Sequence, residues 1–576
     1  MNLYTSAWSI ISTKNQKKFF FIIILFLILS ILEIVSIAAV IPFVAALFSP
    51  EKLSTFPLLK NFSYLLNQYQ NFLIPLFCIC FFFLFLLKNL FSIITYRYIF
   101  NYNSEIRAEV STKLLKKFFN QDYLYFINNT QGKLSATMSS ETSVFSSEFL
   151  DALMIFLSEC ILLAAIFILI IFTGNSVIFF AIVPIAILTT LILTLLKKKI
   201  KNWAVSRVEL AEKMVTVSQR IFIGVRDIYF LKNLDQLINN FYLLNKNQSL
   251  LDAKTQTISI IPRALLELMG LMILLITLIY LYKEGISNNE IITKITFYFV
   301  VAYRALPSFS RILVQRQRIK YSENSVKIIK NTLMLEDKRI LDIPNNDKIE
   351  FNKSLKFSNI NFSYSDKKEF IRNENITIEK GKVIGIYGQS GSGKSTLLNL
   401  LTFLIKPRSG KIQIDDKEIS NEYERRKFQN LITFISQDTF LIEDTIKNNI
   451  TFTTQNPIDE KKLNNAIKLA CAEKFIHELP DNLNYMVGTH GRKISSGQKQ
   501  RIVIARSFYD SREILVLDEA TNALDEETEK KILQNIINKK NGKTIIIVSH
   551  NKSNLSVCDK SYEIEDGKII LLNKKT

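Results

Sequence analysis

Val383-Ile384-Gly385-Ile386-Tyr387-Gly388-Gln389-Ser390-Gly391-Ser392-Gly393-Lys394-Ser395-Thr396-Leu397-Leu398 joins an apolar strand pattern, a Gly/Ser-rich turn and the start of a helix pattern without a break. A turn of this kind points successive backbone N–H groups at one spot, which suits a polyphosphate. Lys394 has the length to meet β- and γ-phosphates, and the Ser395 hydroxyl can ligate Mg²⁺. A turn that binds nothing has no need of the strand, the spacing and the helix together. Gly388 to Thr396, including Gln389, Ser390, Gly391, Ser392 and Gly393, therefore reads as a nucleotide-binding loop.

The surrounding sequence supplies the rest of such a site. From Ile349 onward, short β-rich runs alternate with helical segments, which predicts a parallel sheet covered by helices, an α/β domain over residues 349–576. Ile514-Leu515-Val516-Leu517 reads as a buried strand ending in Asp518-Glu519. Asp518 is placed to hold Mg²⁺ and Glu519 to polarise an attacking water. A second strand, Thr544-Ile545-Ile546-Ile547-Val548, delivers His550 toward the γ-phosphate; the alternative is a strand-end histidine with a structural role.

The N-terminal 330 residues have a different composition. Apolar residues make up 48% of the chain and 43 are Phe, with the excess concentrated before residue 315. Apolar runs near 19–48, 71–100, 145–173, 175–196, 257–282 and 290–314 each supply the roughly 20 residues that cross a bilayer as a helix. Phe19-Phe20-Phe21-Ile22-Ile23-Ile24-Leu25 is too long an apolar stretch for a signal peptide and too uniformly apolar for a soluble bundle. The last two runs are the least regular, interrupted by Pro262, Arg263, Glu267, Arg304 and Pro307. Residues 1–330 are expected to form an all-α, six-helix transmembrane domain, and 331–348 a polar linker ending in Ile343-Pro344-Asn345-Asn346-Asp347.

Charge orients these spans. Residues 101–143 carry Arg107, Lys113, Lys116, Lys117 and Lys133, and Lys197 to Lys254 carries eleven Lys/Arg, whereas Gly174-Asn175 has none and 49–70 only Lys52 and Lys60. The positive-inside tendency places both termini and the two long loops in the cytoplasm, with the nucleotide site. Each long loop contains an apolar patch, Tyr123-Leu124-Tyr125-Phe126-Ile127 and Ile221-Phe222-Ile223-Gly224-Val225, suited to dock on the nucleotide domain or to pack on neighbouring helices. The net charge of +20 does not indicate nucleic acid, because the Lys/Arg are dispersed and no recognition helix or stacking module accompanies them. Cys78, Cys80, Cys160, Cys471 and Cys558 form no disulfide framework and read as reduced thiols.

Together these motifs resemble the ATP-binding-cassette (ABC) transporters, with 349–576 as the nucleotide-binding domain and the whole chain similar to an exporter half-transporter. The resemblance implies that Tyr364 stacks on adenine and that Gln437, in Ile435-Ser436-Gln437-Asp438, senses Mg²⁺ and meets the membrane domain. Ile494-Ser495-Ser496-Gly497-Gln498 matches the signature usually written LSGGQ, with Ile494 and Ser496 as departures; Ser495, Gly497 and Gln498 remain to contact nucleotide, while a Cβ at 496 is expected to crowd the γ-phosphate cradle and to make an active hydrolase a slow one. Asn522-Ala523-Leu524-Asp525 matches the D-loop, and Val487-Gly488-Thr489-His490-Gly491 an exporter-specific stretch. In this family the signature of one domain closes over the phosphate loop of another. One cassette per chain then implies a dimer, a homodimer or a pair with a second half-transporter, that works by alternating access on ATP and Mg²⁺.

Within the membrane half, Leu32-Glu33-Ile34-Val35 with Val40-Ile41-Pro42-Phe43, Ile261-Pro262-Arg263-Ala264-Leu265-Leu266-Glu267, and Tyr303-Arg304-Ala305-Leu306-Pro307 resemble bacterial lipid-linked oligosaccharide flippases of the PglK kind. The resemblance implies a polyisoprenyl-diphosphate glycan as substrate. Charges within spans need partners or a function. Glu33, Arg263, Glu267 and Arg304 are thus candidates for a diphosphate site, since the arginine fork suits phosphate, or for structural pairing between spans. With about 18 residues before the first span, no peptidase domain of the kind some peptide exporters carry is expected there. Export of a peptide, a drug or another lipid stays open, as does a nucleotide-gated regulator without transport.

Overall fold

In the computed structural model, the residues described are 3–40, 70–172, 176–230, 234–283, 288–339, 349–364, 370–452, 458–550 and 552–572. The chain divides into two compact units, one of residues 1–118 and 126–336, the other of residues 119–125 and 337–576. The second unit thus takes in seven residues of the first long loop, 119–125. Ile41, Pro42 and Phe43, the loop 49–69, Gly174-Asn175 and the Ile343–Asp347 stretch lie outside the described residues.

The first unit is built of long helices: Thr13–Ala38, Gln70–Phe119, 131–172, Ser176–Ile223, Leu234–Lys283 and Asn288–Tyr321. Among the described residues, four are long and apolar enough to cross a membrane: Thr13–Ala38, Cys78–Phe119, Gln131–Leu169 and Leu234–Ile279. The expected run 290–314 falls on a helix whose Glu290, Lys294, Arg304 and Arg311 dilute its hydropathy. Most side chains of the run 175–196 lie outside the described residues.

The prolines do not divide their helices as the sequence suggests. Leu234–Lys283 continues through position 262, and Asn288–Tyr321 contains Pro307. A proline removes one N–H and crowds the carbonyls of the preceding turn. Here the carbonyl left without its usual N–H donor is that of Tyr303, and the Ser308 hydroxyl bonds the next carbonyl, that of Arg304, at 3.1 Å. Ile37, Leu162, Ile166 and Val301 form a buried cluster that joins three of the long helices. Helix 131–172 includes two π-helical stretches, Thr137–Glu141 and Phe145–Leu150. Glu141 from the first accepts from Arg207 at 2.9 Å and from Ser325 at 2.5 Å, and Glu148 from the second pairs with Arg318 at 2.8 Å. The first apolar patch becomes the short helix Tyr123–Asn128, while the second spans the end of helix Ser176–Ile223, Gly224 and the start of the short helix Val225–Ile228.

The second unit is the α/β domain, with one sheet more than the sequence pattern predicts. A four-stranded antiparallel sheet has the order β2-β1-β4-β5, from β1 (Ser354–Phe362), β2 (Ile371–Glu379), β4 (Ser409–Ile414) and β5 (Lys417–Glu418). The six-stranded sheet runs β10-β9-β3-β8-β7-β6. Its members are β3 (Val383–Gly388), β6 (Ile432–Ile435), β7 (Ile514–Asp518), β8 (Thr544–Ser549), β9 (Lys560–Glu565) and β10 (Lys568–Leu572). β3 and β8 are almost wholly buried, as expected of central parallel strands sandwiched by helices. Leu124 packs against the core shared by β1, β3 and β8, and Asn120 accepts the backbone N–H of Lys338 and Arg339 at 2.9 Å each.

Candidate functional site

β6, β7, β8 and β3 pair in parallel, so their carboxyl ends open on one side, where open α/β sheets take ligands. The register sets Tyr387 opposite Ser549 and Asp518 opposite Val548. The Gly388 turn, the Asp518-Glu519 pair and His550 therefore emerge side by side. A cavity of about 370 Å³ opens there, lined by Phe370, Ser390, Gly391, Gly393, Lys394, Ser395, Thr396, Gln437, Asp518, Glu519 and His550. That volume suits a ligand of nucleotide size.

The loop's shape depends on two kinds of glycine. Gly391 and Gly393 adopt φ of +81° and +109°, which L side chains rarely take. Gly388 is excluded from bearing a side chain for another reason: a Cβ there would lie 2.6 Å from Ser392 Oγ and 2.7 Å from the carbonyl of Ile564. Lys394 donates to the carbonyls of Gly388 at 2.7 Å and Gln389 at 3.1 Å, so its ammonium lies over the turn. It is also 3.8 Å from Glu519 Oε1.

Glu519 follows β7 in the left-handed region at φ +48°, held by its N–H donating to Val548 at 3.1 Å. Asn522 donates to its Oε2 at 3.0 Å, and His550 Nδ1 lies 3.6 Å from the same oxygen. Burial, and next the neighbouring Glu519 charge, push Asp518 up to about 6, with Lys394 offsetting part of the shift. Tyr364 lies edge-on to Phe362 and Phe370, with its hydroxyl 3.3 Å from Thr396 Oγ1.

The residues available for Mg²⁺ fit that ion. Ser395, Gln437 and Asp518 offer a hydroxyl, an amide and a single carboxylate to the cavity they line. Mg²⁺ is a hard cation that keeps waters and phosphate oxygens among its ligands, so one carboxylate is a sufficient protein share. A carboxylate whose proton is held so firmly by burial is also one whose charge a cation would relieve. Among the described residues, no cluster of three His, Cys, Asp or Glu forms an all-protein cage.

The signature residues lie away from this cavity, at the start of helix Ser496–Asp510. The Ser495 hydroxyl accepts the Gln498 N–H at 3.2 Å while the Gln498 side chain accepts the Ser495 N–H at 2.9 Å, a reciprocal cap. A Cβ on Gly497 would approach the carbonyl of Ala523 to 3.0 Å. Ser496 is exposed and Ile494 buried, so the serine crowds nothing within the chain and the isoleucine fills the core.

The four charged candidates in the helical unit form two separate pairs. Arg304 grips Glu33 with both fork nitrogens, at 2.8 and 3.0 Å. Arg263 pairs with Glu267 one turn along its own helix, at 2.8 Å, and both are exposed. Lys88 completes the first pair at 3.5 Å from Glu33, and Arg311 meets the buried Glu159 at 2.9 Å. The property that singles out Glu33, a charge inside an apolar run, belongs equally to Lys88, Glu159 and Arg311. Phe370, which also lines the cavity, carries no comparable signal, since it stands there because of where β2 begins.

Residues 371–522 match the family described as ABC transporter. Similar proteins include the ATP-dependent lipid A-core flippase 2 of Colwellia psychrerythraea, 28% identical over 81% of this chain and 80% of that protein. The multidrug resistance ABC transporter ATP-binding and permease protein of Lactococcus lactis subsp. lactis is 31% identical over 50% of this chain and 48% of that one. A bacterial Atm1-family ABC exporter solved with ATP bound shares the fold, with a TM-score of 0.75 at 18% identity over 94% of both chains. The chain thus has the fold of an ABC exporter half-transporter, a helical membrane domain followed by a P-loop cassette. It is an ATP-hydrolysing transporter.

Proposed function

We propose that two copies of this chain form a homodimeric flippase that moves a lipid-linked oligosaccharide, a polyisoprenyl-diphosphate glycan, to the outer leaflet of the bacterial cytoplasmic membrane. Both termini and the cassette face the cytoplasm in this reading. The observation that carries the substrate class is the cluster at Glu33, where one carboxylate faces two cations, Arg304 and Lys88, in a largely buried setting. The surplus positive charge among apolar helices favours a counter-ion. A lipid diphosphate brings one at the depth of a headgroup, and the free edge of a guanidinium binds phosphate by paired hydrogen bonds. The Colwellia relative, named for lipid A-core flipping, supports a lipid cargo. The multidrug relative supports the second reading, an amphipathic drug.

In the cassette, the loop N–H groups and Lys394 would hold the phosphates, and Ser395, Gln437 and Asp518 would hold Mg²⁺, which when bound would neutralise phosphate charge. Glu519 accepts the proton of the attacking water and His550 contacts the γ-phosphate. Tyr364 stacks on the base. Ser495, Gly497 and Gln498, remote from their own chain's cavity, serve the nucleotide of the second copy. Phe222, Ile223, Tyr229 and Phe230 are exposed beside helix Val225–Ile228, and they offer an aromatic contact for a cassette. Closure of two cassettes on ATP then tips the helical halves between inward and outward states.

The test uses purified protein in lipid vesicles. ATP turnover stimulated by a polyisoprenyl-diphosphate glycan, with accessibility of that lipid shifting across the bilayer, is the expected result. Stimulation by hydrophobic drugs alone would replace this reading by the second one, and full turnover in Glu519→Gln would remove the catalytic assignment.

A further inference from the structure

The segment after β7 contains a contact that the nucleotide-site reading leaves unused. Asn522 Nδ2 donates to Glu519 Oε2 at 3.0 Å, whereas Lys394 Nζ stands 3.8 Å from Oε1 and His550 Nδ1 3.6 Å from Oε2. The amide is thus the group at hydrogen-bond distance from this carboxylate, and the ion-pair partners are looser. The amide cannot be reversed without setting its oxygen against the carboxylate, so the donor assignment rests on charge. The bond closes a four-residue turn, reinforced by the Asn522 N–H reaching the Glu519 carbonyl at 3.4 Å.

Asn522 is itself held from the other side. The next residue, Ala523, donates its N–H to Gln500 Oε1 at 3.0 Å, and Gln500 is buried on the signature helix Ser496–Asp510. Gly497 on the same helix leaves just the room that the Ala523 carbonyl needs. A continuous chain of contacts therefore runs from the signature helix through Ala523 and Asn522 to one oxygen of Glu519.

We infer that Asn522 is a positioning residue: it pins Oε2 of Glu519 so that Oε1 is presented to the cavity, and Gln500 sets Asn522 by fixing Ala523. A general base is effective only when its free oxygen is within hydrogen-bond reach of the proton it takes. Glu519 has a left-handed backbone and a flexible side chain, so without the amide several rotamers compete. This inference rests on Glu519 acting as the base.

The experiment is steady-state ATP turnover by the full-length protein in lipid, with nucleotide affinity measured separately by a fluorescent ATP analogue. Asn522→Ala is expected to lower kcat by about 10- to 100-fold, the effect of misplacing a reacting group by about 1 Å, with KM for ATP and analogue affinity unchanged. Asn522→Ser, which keeps a donor on a shorter arm, is expected to recover part of the loss, and Asn522→Asp, of equal size but repelling Glu519, none. Gln500→Leu should reproduce the kcat defect, and combining it with Asn522→Ala should add little. An unchanged kcat in Asn522→Ala, or equal turnover in the Ser and Asp variants, overturns the positioning role. Glu519→Gln distinguishes this from failure of the underlying reading: if it turns over ATP normally, the base assignment fails, whereas its inactivity beside a fully active Asn522→Ala removes the inference alone.

Discussion

Replacing Glu33 by glutamine leaves the shape of its side chain nearly intact and removes the anion that pairs with both Arg304 and Lys88. The structure sets the size of the effect. Glu33 is 10% exposed, Lys88 14% and Arg304 25%, so both cations would remain in a poorly solvated site. Removing one partner from a buried ion pair costs about 3–5 kcal/mol, and the partial exposure of Arg304 reduces this to about 2–3 kcal/mol. Arg304→Leu is different: Glu33 keeps Lys88, the local charge balances, and the loss is confined to two charge-assisted hydrogen bonds, about 1–2 kcal/mol. Removing the acid should therefore be worse than removing the arginine, although the arginine makes the shorter contacts. The assay is thermal unfolding of each variant in one detergent, with the double variant included to give the coupling. Melting temperatures in the order wild type, Arg304→Leu, Glu33→Gln support the account. Arg304→Leu melting at or below Glu33→Gln would refute it, because the cluster could not then carry a surplus positive charge.

Two further predictions concern the cassette. The Asp518 carboxyl, raised to about 6, must lose its proton to bind a cation, so the Mg²⁺ concentration for half-maximal ATP turnover should rise about fourfold on going from neutral pH to pH 5.5. The same shift means that the folded protein without Mg²⁺ holds a proton that the unfolded chain releases between about pH 4 and 6, so its stability falls as pH rises through that window. A Mg²⁺ midpoint that does not move with pH would contradict it. Gly388→Ala pushes a methyl to 2.6 Å from Ser392 Oγ and 2.7 Å from the Ile564 carbonyl. Overpacking of this kind costs about 1–3 kcal/mol, so ATP affinity should fall by about 5- to 150-fold at the loop; binding equal to wild type, by fluorescent-nucleotide titration, would show that the loop does not depend on that close approach.

The parts of this molecule legible in its sequence are those whose physics is local. A glycine-rich turn between a strand and a helix, an acidic pair at the end of a buried strand and long apolar runs each declare themselves within a few residues, and β3, β7 and β8 begin and end close to where their patterns do. The antiparallel sheet is less visible. β1 is neither continuously apolar nor cleanly alternating, and register shifts after Phe357 and Ile360 break its period. The prolines mislead for a related reason, since a lost hydrogen bond is a local fact while the continuity of the helices Leu234–Lys283 and Asn288–Tyr321 belongs to the folded unit. Pairing of Arg304 with Glu33, 271 positions apart, depends on which helices meet, which no short pattern encodes.

The two π-helical stretches between Thr137 and Leu150 affect how that helix addresses its neighbours. Glu141 and Glu148 are seven residues apart, a separation that in a regular α-helix stacks both on one stripe. Each wide turn absorbs an extra residue and rotates the rest of the helix by up to about 100°. The two acids can then look toward different arginines, Arg207 and Arg318. Deleting one residue inside Phe145–Leu150 would leave a smoother rod whose upper half faces the wrong companions, so the irregularity acts as a swivel joint fixed into a single shaft.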